Sequence, residues 1–110
     1  MNHLTLSRTR KAARKLLEAE GYIIGECNPS PTTPDIHLIA VGLHRPKLIN
    51  LHRQRDALNQ SDLKAARVHL SILQTQVQLA ISPEMATGYS VEFWISAGQP
   101  AQWHRLTGDD

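Results

Sequence analysis

Four polar residues stand where two neighbouring strands can bring them together. They are Asp35 and His37 in "PDIHLIAVG", and Asn50 and His52 in "KLINLHR". Residues two apart on a strand share a face, and facing strands of a hairpin oppose residue to residue. With a connection of about four residues between the stretches, Asp35 falls opposite His52 and His37 opposite Asn50. Ile36, Leu38, Ala40, Ile49 and Leu51 then occupy the other face, which separates a polar side from an apolar one. A register one residue different would pull the two polar pairs apart. One carboxylate with two imidazoles is a ligand set suited to a transition metal, so Asp35, His37 and His52 are candidate metal ligands. The alternative is an exposed polar patch of sheet with no chemistry. The other histidines, at 3, 44, 69 and 104, are scattered and have no evident reason to meet.

The elements that must position these residues follow from periodicity. In "SRTRKAARKLLEAE", Ser7–Glu20, the residues Ala12, Ala13, Leu16 and Leu17 cluster at helical spacing, with Ser7 as N-cap and Gly21 as the stop. "YIIGEC" has strand composition, and "NPSPTTP" is a proline-rich loop. Asp35–Gly42 and Lys47–Arg53 are the next two strands, joined around "LHRP". Ser61 can cap a long helix in which Leu63, Ala66, Leu70, Leu73 and Val77 form one apolar stripe. "SPEMATG" breaks that helix through Pro83 and Gly88. "YSVEFWIS" then alternates as a strand, with Trp94 interrupting the polar series so that both faces are partly covered. "AQWHRL" is a weaker last strand. A helix, three strands, a helix and one or two strands make a single domain over residues 1–110, of α/β class, with helices covering a sheet.

This order resembles the PD-(D/E)xK nuclease superfamily, with its restriction-endonuclease-like and Holliday-junction-resolvase-like fold, over roughly residues 8–96. The motif-level likeness rests on Pro34-Asp35 opening the second strand and on "LINLH" fifteen residues further on, where such enzymes carry (D/E)-x-K. The resemblance implies an αβββα(β) sandwich with a mixed central sheet flanked by helices. It also implies a divalent metal, Mg²⁺ or Mn²⁺, that activates water for phosphodiester hydrolysis, with a lysine beside the nucleophile. A glutamate of the first helix often joins such sites, and Glu18 or Glu20 can match it. Carried over by position, Asp35 keeps the first acid, Asn50 replaces the second and His52 replaces the lysine. Magnesium favours anionic oxygen ligands, and Asn50 offers a neutral carbonyl. The resulting expectation is a degenerate site at Asp35, Asn50, His52 and Glu18.

Charge is unevenly spread. Residues 1–55 hold nine Lys/Arg against four Asp/Glu, and residues 56–110 hold three against six. A basic half suggests an anionic partner, or merely a solvated helix face. Arg8, Arg10, Lys11, Arg14 and Lys15 lie on about two turns of helix, and Arg45, Lys47 and Arg53 extend the charge around the hairpin. These are the candidate nucleic-acid contacts, with DNA ahead of RNA, though no aromatic residues interleave them for base stacking. Nothing approaches the roughly 18 apolar residues of a membrane helix. The lone Cys27 has no disulfide partner within the chain and fits a packed strand position in a reducing cytoplasm. No phosphate-binding glycine loop, zinc-protease motif or serine-hydrolase elbow occurs.

Three readings follow. The first is a nucleic-acid-binding protein of nuclease-like fold with an inactive metal site. The second is an active divalent-metal-dependent DNA endonuclease with an altered ligand set. The third is a protein-interaction module, a homodimer or part of a larger complex, with Trp94 and Trp103 as its candidate interface aromatics.

Overall fold

Thr9, Ala13 and Leu17 recur every four residues and are all buried, so the first helix lays one narrow stripe on the sheet. The computed structural model describes residues 3–28, 30–81 and 88–108. Helix α1 spans His3–Ala19. It begins a full turn before the expected Ser7 cap, because half-buried Leu6 carries the buried stripe upstream. Residue Arg10, three after Ser7, also offers no acceptor to complete a capping box. Ala12 faces solvent. At the far end the Tyr22 amide donates to the Leu17 carbonyl and the Gly21 amide to Glu18, each at 3.0 Å. This reciprocal closure needs a left-handed residue, and Gly21 supplies it at φ +95°.

Strands β1 (Ile23–Glu26), β2 (Leu38–Val41) and β3 (Lys47–Gln54) form an antiparallel meander. Helix α2 (Gln60–Ala80) then carries the chain across to β4 (Ser90–Ala97), which lies parallel to β3 along its whole length. Strand β5 (Gln102–Thr107) returns antiparallel to β4, which makes the weaker last stretch a true strand. The sheet order is β1-β2-β3-β4-β5. Asn59, and not Ser61, caps α2. Its side chain accepts from the Asp62 amide at 2.8 Å while the Asp62 carboxylate accepts from the Asn59 amide at 3.2 Å. Ser61 has Lys64 three residues on, which cannot return such a bond. Pro29 and Pro83 of the expected breaks lie outside the described residues.

The helices cover opposite faces of the sheet. Ala13 and Leu17 of α1 pack on Leu38, Ala40, Ile49, Leu51 and Trp94. Ala66 and Leu70 of α2 pack on Phe93, Ile95, Ala97 and Leu106, while Leu73 and Val77 cover Leu48 and Ile36. Ile36 therefore joins the α2 side, not the Leu38 side that strict alternation implies. Residues Asp35–His37 lie outside β2, so alternation does not govern them. With both faces covered, β4 is buried continuously from Glu92 to Ala97. Trp94 is wholly buried and half-buried Trp103 packs edge-on to it at 5.7 Å, so both tryptophans contribute to the core. Among the described residues no helix is long and apolar enough to cross a membrane.

Candidate functional site

Strand β3 outruns β2. Leu38 pairs with Ile49, so residues 50–54 of β3 have no strand partner on that side, and their backbone groups need others. The His37 amide donates to the Ile49 carbonyl at 2.9 Å, one residue off the ladder's register. Its ring then takes over from the backbone, because His37 Nδ1 accepts from the Leu51 amide at 2.8 Å. Asn50 Nδ2 donates to the Asp35 carbonyl at 2.5 Å. Two of the four polar residues thus splice the sheet where its ladder ends.

The remaining geometry follows from this splice. Asp35 is held by its backbone and leaves its side chain 53% exposed. Its Oδ1 lies 3.8 Å from His37 Nε2, too far for a hydrogen bond. Asp35 therefore neighbours His37, and the expected Asp35–His52 opposition is not formed as a strand pair. Burial pushes the His37 pKa down, against the pull of Asp35 and aided by the Arg10 cation. Burial also pushes His52 down. At neutral pH His52 is therefore an uncharged imidazole and supplies no cation like that of a lysine.

These residues open onto a cleft of about 500 Å³ between α1, the β3 and β4 ends and α2. Asp35, His37, Asn50 and His52 all line it, so the four residues expected to share a face do meet at one place. Glu18 is not among them. Its carboxylate accepts from Arg14 Nε at 2.6 Å on an exposed face. Leu6 is the α1 residue at the cleft, and Glu18 is twelve residues further, about 18 Å along a helix axis. Residues 3–17 contain no acid at all, so α1 cannot supply a carboxylate near Leu6. Glu20 is bound instead by both terminal nitrogens of Arg105.

The second acid at the cleft is Asp62, which composition alone did not single out. Its Oδ2 accepts from both Asn59 and Gln54 Nε2, the latter at 3.0 Å. His69 and Phe93 were missed as well; their rings lie 4.5 Å apart, and His52 lies 6.1 Å from Phe93. His69 was legible in principle, because it flanks Ala66 and Leu70 on the stripe of α2. No ligand set for a divalent metal is assembled here. His37 Nδ1 is taken by the Leu51 amide and Asp62 Oδ2 by its cap, while Asp35, His37 Nε2, Asn50 Oδ1 and His52 line the cleft without converging. Among the described residues no three His, Cys, Asp or Glu side chains converge to hold an ion. Asp35, His37 and His52 are thus neighbours in a cleft without forming a metal centre.

The candidate nucleic-acid contacts divide in two. Arg10 donates to the Cys27 carbonyl at 2.9 Å, and its Nε is buried with no partner among the described residues. Arg14 pairs with Glu18 and approaches Glu26 at 3.8 Å. Lys47 Nζ sits 2.5 Å from buried Glu92, and Arg53 donates to the Gln54, Ser96 and Gly98 carbonyls. Lys47 and Arg53 are therefore internal braces and not free surface cations. Arg8, Lys11, Lys15 and Arg45 are exposed and have no ion pair to a described acid. On α1 the first three fall within about 60° of arc, facing away from Ala13 and Leu17.

No family model and no curated protein matches the sequence. Among solved structures the chain is similar to Hjc, a Holliday junction resolvase from the archaeal hyperthermophile Archaeoglobus fulgidus. The TM-score is 0.58 at 10% identity, over 93% of this chain and 75% of that one. With its five-stranded mixed sheet between two helices, the chain shares that protein's fold, the restriction-endonuclease-like fold expected from its element order.

Proposed function

We propose that the protein binds nucleic acid, DNA ahead of RNA, through the outer face of α1 and does not cut it. The observation that carries this reading is the fate of the second motif. Asn50 and His52, where an acid and a lysine would work a metal, are a neutral amide tied to the Asp35 carbonyl and an imidazole kept neutral by burial. Binding needs neither. Arg8, Lys11 and Lys15 form a row about 10 Å long, and cations on such a row displace condensed counterions from phosphates. The likeness to a Holliday junction resolvase fold supports nucleic acid as the anionic partner.

Mobility-shift titrations of labelled linear and branched DNA across a salt series test this directly. Substituting Arg8, Lys11 and Lys15 together by Ala should weaken binding for every sequence and flatten the log K against log salt slope by about 2 to 3. Unchanged affinity and slope in that triple variant contradict the assignment.

A further inference from the structure

We propose that the cleft beside β3 is a pocket for an uncharged, planar, hydrogen-bonding ring, the chemistry of an unpaired nucleobase. At about 500 Å³ it lies within the size range of small-molecule sites. One wall is built of rings: Phe93 stands between His69 at 4.5 Å and His52 at 6.1 Å. Flat π-systems of this kind stack on bases of any identity. Leu6 and Leu58 add apolar surface.

Charge selects against the other ligand classes. Among the described residues no Lys or Arg lines the cleft, and the formal charges there are the carboxylates of Asp35 and Asp62. A phosphate placed there meets the repulsion of two carboxylates, opposed among the described residues by the Arg10 cation that acts on His37, and a metal finds no converging set of ligands among those residues. Burial pushes the His52 pKa down, so that ring of the wall is uncharged at neutral pH. The polar groups then favour a particular kind of ring. Asn50 Nδ2 is tied to the Asp35 carbonyl, which fixes the amide, and Asn50 Oδ1 accepts no hydrogen bond from any described residue. That oxygen and the exposed Asp35 carboxylate are both acceptors. They match a ring bearing an exocyclic amine, as adenine, cytosine and guanine do, better than uracil or thymine.

The inference deepens the nucleic-acid reading and rests on it for the source of the base, but free nucleosides test it separately. The imidazole resonances of His52 and His69 are followed by NMR during titration with adenosine, uridine and inorganic phosphate. Adenosine should give saturable shifts at both rings, uridine weaker ones, and phosphate none. His69→Ala, on the exposed flank of α2, should weaken adenosine binding several-fold while the protein keeps its fold. Silence toward adenosine, equal shifts with phosphate, or unaltered adenosine binding in His69→Ala overturns the assignment. The two proposals fail differently. If the Arg8/Lys11/Lys15 variant keeps full DNA affinity while adenosine still shifts His52 and His69, the α1 interface falls and the pocket stands. If DNA binding is salt-sensitive and adenosine is silent, the pocket alone falls.

Discussion

The parallel pair β3–β4 treats polar atoms differently at its two ends. At the amino end Glu92 is 1% exposed, yet both of its oxygens are taken. Oε2 accepts from Lys47 at 2.5 Å and from Ser90 at 3.1 Å, and Oε1 accepts from Trp94 Nε1 at 2.8 Å. At the carboxyl end His37 and Asn50 spend one polar atom each on the broken ladder and leave His37 Nε2 and Asn50 Oδ1 over. Both residues line the cleft, where these unspent atoms can meet a ligand. The closed end is structure, and the open end is the candidate site.

Breaking the closed end should cost most. Glu92→Ala strands Lys47 Nζ and Trp94 Nε1, and removing one partner of a buried pair is worth about 3 kcal/mol. The Lys47 side chain is 22% exposed and can turn to water, which keeps the cost at that low end of the range. Denaturant unfolding checks it, and a loss below about 1 kcal/mol would show the pair to be dispensable. At the open end Asn50→Leu leaves the Asp35 carbonyl without its donor, at about 2 kcal/mol. If Asn50→Leu proved the more damaging of the two, the contrast between the ends would be reversed.

The histidines give a smaller, pH-dependent effect. Both His37 and His52 have folded pKa values below the unfolded value of about 6.5. The unfolded chain therefore binds protons first. Stability should be complete above about pH 6.5 and should fall as the pH drops from there toward the folded values. His52→Gln should shallow that slope, as measured by unfolding at a series of pH values; an identical slope would mean His52 is not buried neutral. The triple Ala variant on α1 should change stability least, within about 0.5 kcal/mol, because its side chains are exposed and have no ion pair to a described acid.

Much of this was legible from residues alone, for a definite reason. Period-two and period-3.6 patterns report on local neighbours, and they located every strand, both helices and the four cleft residues Asp35, His37, Asn50 and His52. They failed where a side chain replaces a backbone partner. Asp35–His37 read as the start of β2 because nothing in the pattern shows His37 Nδ1 accepting from Leu51 fourteen residues on. They failed again where partners are remote. Lys47 looked like a surface cation because its acid, Glu92, is 45 residues away. Arg53 is likewise spoken for by carbonyls of Ser96 and Gly98. Glu18 was placed by analogy, and helix length alone carries it away from the cleft.

The most direct test of a fold that grips without cutting is a cleavage assay. Labelled linear and branched DNA is incubated with the protein and with Asp35→Ala, in EDTA, Mg²⁺ or Mn²⁺, and resolved on native and denaturing gels. A salt-sensitive shift with no products under any metal is expected, equal in wild type and variant. Metal-dependent products that vanish in Asp35→Ala would contradict the account and make Asn50 and His52 parts of a working nuclease.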